Sequence, residues 1–184
     1  MNIFDERTKI AETKLYQKIY LGKNFIKHME AHPDVTLEHI KEALSNINYP
    51  IGNFYIGTIN LGRTIGKHLC VNITKENKNR VQMLYRKGRS GRTPIILDGE
   101  GNDTPFITLG IAKDNKGKLR LFTAWYGTKA TREPWDKNIE SEQERKECEI
   151  FWSTHALVSD FDSIDWGRSR EACWLFVGGK NDKH

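Results

Sequence analysis

The spacing of apolar residues changes near residue 50. Before it, Ile10, Leu15, Ile19, Phe25, Ile26 and Met29 recur in a stretch without proline, and this spacing predicts a helix from about Asp5 to Ala31. Gly22 breaks or bends that run, and Pro33 disfavours helical geometry at His32, so the helical arm is expected to stop there. Asp34 or Thr36 offers a cap for a second helix, over 34–46. Its Leu37, Ile40, Ala43 and Leu44 fall on one face.

From residue 50 to 127 the pattern is that of strands. Phe54–Ile56, Leu69–Ile73, Arg80–Arg86, Pro94–Leu97, Phe106–Ile111 and Leu119–Tyr126 are short and rich in β-branched or aromatic residues. Glycine-bearing turns separate them, and Asp114-Asn-Lys-Gly predicts a tight hairpin between the last two. Residues 139–149 are acidic and read as a helix, followed by a less regular tail carrying Trp152 and Trp166. Helices first and strands afterwards predict an α+β fold: N-terminal helices packed on one curved, mostly antiparallel sheet, with a helical or irregular C-terminal tail. Neither a repeat nor a linker interrupts residues 1–184, which read as a single domain.

Composition narrows the class. Of 184 residues, 38% are hydrophobic, enough to fill a core, so wholesale disorder is excluded. No apolar run approaches the roughly 20 residues that cross a bilayer. The charged N-terminal stretch has no signal-peptide character, and Cys70, Cys148 and Cys173 form no Cys-x-x-Cys pair. A cytoplasmic protein without membrane attachment is the expectation.

The net charge of +5 is unevenly spread. Residues 61–97 hold nine Lys/Arg against one Glu and net +8, while 1–60 net zero and 98–184 net −3. Such a block attracts polyanions, although a solvated basic face is the plainer explanation of any charge run.

Several motifs bear on chemistry. Gly57 to Thr64 has the spacing of a phosphate-binding loop, but Arg63 stands where that motif needs Lys and no helix follows, so a glycine-containing turn is favoured. His28 and His32, four apart, face one side of a helix; with Met29 between them and no third ligand in view, no metal site is expected. Imidazoles there have the chemistry of a general acid or base. His155 reads as a core-edge histidine, and Glu133-Pro-Trp135-Asp136 as a packed turn that locks a strand end. Thr123 and Tyr126 fall on opposite faces of their strand, so only one points directly into a site on the sheet, with Tyr126 favoured at the rim.

The segment from His28 to Leu44 resembles the helical opening of phage- and mobile-element-associated nuclease domains of the barnase/EndoU/colicin/RelE superfamily. Leu121-Phe-Thr-Ala-Trp-Tyr-Gly, Glu133-Pro-Trp-Asp and Phe151-Trp-Ser-Thr-His-Ala-Leu-Val are similar to bacterial relatives of that group. The resemblance implies helices packed on a curved antiparallel sheet and cofactor-free, metal-independent cleavage of RNA through 2′-hydroxyl attack and a cyclic phosphate. It implies an acid/base role for His32 or His28, phosphate contacts from Arg63, Lys67, Arg86 or Arg89, and a hydrogen bond from Tyr126 or Thr123 in the transition state. RNA is the expected partner, with a cognate inhibitor protein a further one. The alternatives are a non-catalytic RNA- or phosphate-binding module and a protein-interaction module.

Overall fold

The computed structural model describes residues 9–22, 25, 29, 32 and 34–169. Strand accounts for 38% of it and helix for 23%, and three sheets replace the single curved one expected. Two compact units divide the chain. Unit 1 comprises the residues up to His68 together with Asp103–Lys129, and unit 2 comprises Leu69–Asn102 with the residues from Ala130 onward.

Unit 1 is built on a five-stranded sheet ordered β1-β2-β10-β9-β3. Its strands are β1 (Lys9–Glu12), β2 (Lys18–Leu21), β3 (Phe54–Asn60), β9 (Phe106–Lys113) and β10 (Leu119–Tyr126). A two-stranded ribbon joins β4 (Gly66–His68) to β8 (Asn102–Thr104). Helix α1 (Leu37–Asn46) buries Ile40, Ala43 and Leu44 in the same core as Ile107, Leu109 and Leu121. Each fully buried Ile or Leu of that kind contributes about 1.5–3 kcal/mol relative to exposure.

The expected helical arm is the main correction to the fold. Residues 9–12 and 18–21 are strands, and β2 runs parallel to β10 with Ile19 opposite Leu119 and Leu21 opposite Leu121. Lys18-Ile-Tyr-Leu alternates exposed, buried, half-buried, buried, the two-residue period of a strand. Tyr16 takes a φ of 58°, which no α-helix tolerates, in the turn where Thr13 N–H donates to Gln17 O. Pairing with the edge of β10 outweighs the weak local helix preference. Gly22 is no helix breaker. Its N–H donates to Leu121 O at 2.7 Å, and a Cβ there would overlap that carbonyl.

Strand β10 contains a bulge. Leu121 faces Ile111 and Thr123 faces Gly110, so Phe122 is the extra residue. The face parity reverses across it: Leu119 and Leu121 point into the core before the bulge, Ala124 and Tyr126 after it. The bulge thereby aims Tyr126 at the side of the sheet that α1 covers. Asp114 closes the β9–β10 hairpin as the turn signal predicted, accepting from the N–H groups of Lys116 and Lys118, with Gly117 at φ 75°.

Unit 2 is built on a four-stranded sheet ordered β5-β11-β7-β6: β5 (Cys70–Asn72), β6 (Val81–Tyr85), β7 (Arg92–Leu97) and β11 (His155–Ser159). Helix α2 (Glu142–Thr154) starts at Ser141, whose hydroxyl accepts from Glu144 N–H, and leads directly into β11. Trp152 therefore belongs to a helix and not to an irregular tail. A one-turn helix, α3 (Trp166–Ser169), ends the described chain. Among the described residues no helix is long and apolar enough to cross a membrane.

Candidate functional site

The amino end of α1 and the end of β10 converge in unit 1. Thr36 caps the helix by accepting from His39 N–H at 3.3 Å, and its own N–H donates to Tyr126 Oη at 3.3 Å. Three residues on, His39 Nδ1 lies 2.6 Å from the same Oη, with the two rings edge to face. The Tyr126 ring is buried, 4% exposed, and β4 crosses it at Gly66, where a Cβ would overlap the ring. Gly127 (φ 103°) is packed in the same way against the His68 ring.

One turn beyond His39, both carboxylate oxygens of Glu42 accept from Arg63 Nη atoms at 2.6 Å. Arg63 follows Gly62, a left-handed residue (φ 73°) whose N–H donates to Asn60 Oδ1, and this turn directs the guanidinium toward α1. The Arg63 hydrogen bond holds the Glu42 carboxyl below its usual range, and the nearby His39 adds to the effect. The pair is exposed, at 53% and 37%, so water and a competing anion reach it.

His39 is the residue that sequence reasoning missed. Its signal was positional: three residues after a Thr cap and three before a Glu, it lies off the apolar Ile40/Leu44 stripe and at the first turn of a helix. His32, half-buried, has its N–H bonded to Met29 O and its carbonyl bonded to Val35 N–H in the turn leading to α1. His28 lies outside the described residues. Thr123 is buried on the face of β10 opposite Tyr126, as the strand period required, so the two do not share a site.

The four cations divide between the units. Arg63 belongs to unit 1, as does Lys67, which pairs with Asp103 at 2.7 Å. Arg86 and Arg89 belong to unit 2. Arg86 donates to Glu133 at 2.7 Å, and the Thr93 hydroxyl bonds the same oxygen. With side chains only 22% and 12% exposed, Arg86 and Glu133 form a structural anchor. Arg89 is exposed, and its carbonyl accepts from Arg168. The basic block of the sequence is thus redistributed on folding. Unit 2 has fifteen Lys/Arg and fifteen Asp/Glu, whereas unit 1 has fourteen against nine and carries the whole +5.

The remaining motifs are structural. Gly57 lies within β3, so residues 57–64 form a strand and a turn. His155 stacks on Phe151 at 3.9 Å. In the Glu133-Pro-Trp-Asp turn, Asp136 N–H donates to Glu133 O, and Trp135 Nε1 donates to Arg92 O. Among the described residues, no three His, Cys, Asp or Glu side chains gather as metal ligands.

The unit 1 arrangement has a definite proton chemistry. When His39 Nδ1–H donates to Tyr126 Oη, the Nε2 lone pair is free to accept a proton, and the resulting imidazolium keeps the same Tyr126 bond. One turn along the same helix, the exposed Glu42 carboxylate holds the Arg63 guanidinium, which is available for exchange onto a phosphate. Comparison of the chain with protein-family models, with curated proteins and with solved structures finds no match in any of the three.

Proposed function

We propose that the protein is an endoribonuclease that cuts RNA by internal transesterification, with His39 as the proton carrier and Arg63 as the phosphate ligand. In this reading His39 Nε2 takes the proton from a ribose 2′-hydroxyl as its oxygen attacks the adjacent phosphorus. The bond from phosphorus to the 5′-oxygen then breaks, and the imidazolium returns the proton to that leaving oxygen. The products are a 2′,3′-cyclic phosphate and a 5′-hydroxyl, with atoms and charge balanced and no further reactant needed. Tyr126 is a positioning residue that orients the imidazole through Nδ1. Arg63 exchanges Glu42 for the scissile phosphate and offsets the charge added at phosphorus.

The observation that carries this reading is the 2.6 Å contact between His39 Nδ1 and Tyr126 Oη, one helical turn from the Arg63–Glu42 pair. The net positive charge of unit 1 favours a polyanionic substrate. The test is incubation of the purified protein with end-labelled RNA in EDTA. Fragments ending in a cyclic phosphate are expected, and intact RNA at all protein concentrations contradicts the proposal.

A second reading has its own support: Glu42 occupies both Nη atoms of Arg63, an arrangement suited to a binding surface in which the histidines do no chemistry. Salt-sensitive retention of uncut RNA is its signature.

A further inference from the structure

Strand β6 is the outer strand of the unit 2 sheet. In its ladder with β7, Tyr85 stands opposite Arg92, Met83 opposite Pro94 and Val81 opposite Ile96. The backbone groups of Tyr85 point away from β7: its N–H donates to Ser169 Oγ at 3.0 Å, and its C=O accepts from Asp165 N–H at 2.8 Å. Backbone direction alternates along a strand, so the N–H and C=O of Met83 and Val81 point the same way. Val81 N–H is bonded to Lys78 O. Between these two occupied ends, Met83 N–H, Met83 C=O and Val81 C=O face outward, and among the described residues no strand lies beside them. An open edge of this kind is a template for one more strand.

Met83 also lines a cleft of about 360 Å³, together with Pro94, Pro134, Trp135 and Trp152, and the exposed lining is almost wholly carbon. Both indole N–H groups are committed to the protein, Trp135 Nε1 to Arg92 O at 3.0 Å and Trp152 Nε1 to Arg132 O at 2.9 Å. The surface offered is therefore one that gains from apolar side chains. An apolar strand on β6 satisfies the edge and the cleft together, because the residue opposite Met83 exchanges both backbone bonds with it and places its side chain on the same face.

The described chain runs along this edge toward the open groups. Ser163–Asp165 lies antiparallel to Tyr85–Lys87, with Arg86 opposite Ile164 and Lys87 N–H donating to Ser163 O. Helix α3 then brings the Ser169 hydroxyl to Tyr85, one pleat from Met83. Residues 170–184 lie outside the described residues, and their sequence contains Ala172-Cys-Trp-Leu-Phe-Val177, an apolar run of strand formers followed by Gly178-Gly179. We infer that residues 172–177 dock on β6 as an antiparallel edge strand, with Trp174 opposite Met83 and Phe176 opposite Val81. Trp174 then exchanges both bonds with Met83, and Phe176 N–H donates to the one open group of Val81. Both rings fall on the cleft face, since they are two residues apart. The five residues from Arg170 to Trp174 span up to about 17 Å, ample for the roughly 7 Å between Tyr85 and Met83. Tethering gives this segment an effective concentration of the order of millimolar, an advantage that a strand from a second copy lacks. The inference is independent of RNA cleavage, because it concerns other residues in the other unit.

Amide hydrogen exchange of the full chain, read by NMR, tests it. Met83 N–H should exchange about a hundredfold or more slower than an unpaired amide, and the Met83 methyl should show a nuclear Overhauser contact with the Trp174 ring. Trp174→Pro removes both the ring and the N–H that meets Met83 C=O. In that variant Met83 exchange should accelerate about tenfold or more, while Leu84 N–H, which points to β7, stays slow and reports an intact sheet. The two measurements on the parent chain need no variant to fold. Met83 exchange at the unpaired rate in the parent, absence of the Trp174 contact, or Met83 exchange unchanged by Trp174→Pro would each overturn the assignment. Protection of Met83 that vanishes on dilution, in step with a change from dimer to monomer, would also overturn it and give the edge to a second copy.

Discussion

Each unit contains an arginine bonded to a glutamate at nearly the same distance, and the two pairs do different work. In unit 2, Arg86 and Glu133 are largely shielded from water, and Thr93 is a second donor to the same carboxylate oxygen. In unit 1, Arg63 and Glu42 make two good bonds at 2.6 Å but remain exposed. Short distance alone says little about what an ion pair contributes; the solvent around it decides. A shielded pair is costly to break, because one charge is left buried without its counterpart. An exposed pair exchanges with water and other anions at little cost. The first kind fixes a fold, and the second kind is free to act.

The largest effect expected from this contrast is on stability in unit 2. Glu133→Ala leaves the Arg86 guanidinium without its carboxylate and takes a partner from Thr93, and should cost about 3 kcal/mol. Urea unfolding measures it, and a loss below about 1 kcal/mol would remove the distinction drawn between the pairs.

Next in size is Tyr126→Phe. It deletes the acceptor of Thr36 N–H and the partner of His39 without changing the ring that packs under Gly66. A cost of about 1–2 kcal/mol is expected, together with a fall in RNA cleavage. As a positioning residue, Tyr126 should also alter the pH profile of cleavage, whereas a purely structural defect lowers the rate equally at every pH.

A smaller effect concerns alkaline pH. Burial raises the Cys70 thiol to about 11, from an ordinary value of 9.0, and Glu133 adds to the rise. The folded state then retains this proton where the unfolded state loses it. The associated stability is complete below pH 9 and is lost as pH rises from 9 through 11. Chemical unfolding across that range should show the decline, and Cys70→Ala should flatten it. A slope unchanged by the substitution would mean that the thiol is not the responsible group.

The smallest change in stability belongs to Arg63→Gln and Glu42→Gln, whose unfolding midpoints should stay close to the parent's. Their effects on RNA should be opposite. Arg63→Gln weakens binding and flattens its salt dependence, while Glu42→Gln frees the guanidinium and tightens binding. Filter binding at two salt concentrations decides it, and parallel changes in the two variants would show that the pair does not exchange.

Legibility in the sequence followed the strength of local signals. Helix α1, its Thr36 cap, the Asp114 hairpin and six of the strands between Phe54 and Tyr126 were readable because amphipathic period and turn chemistry act over a few residues, whereas β4 and β8 were not, residues 99–103 reading as a turn. The N-terminal strands were not. Ile10, Leu15 and Ile19 match a helical spacing, but Leu15 lies in the turn between β1 and β2, and β2 is held as a strand by β10, about a hundred residues away, with β1 paired to β2. The site was half legible. Tyr126 was favoured from the strand period, and the roles of Tyr126 and Arg63 came only from the family resemblance; the bulge at Phe122 that aims Tyr126 toward α1 leaves no trace in an unbroken apolar run. His39 was hidden by its neighbours, since His28 and His32 drew attention through their spacing. The basic block misled for a related reason: Glu133, which neutralises Arg86, is 47 residues distant in the chain.

The central claim rests on His39, and single-turnover cleavage of an end-labelled RNA by the parent and by His39→Ala tests it most directly. The expected result is cyclic-phosphate product from the parent and a rate at least a hundredfold lower from the variant, within the 10²–10⁴-fold typical of acid–base catalysis, with unfolding curves alike. Cleavage by a folded His39→Ala protein at the parent rate would contradict it.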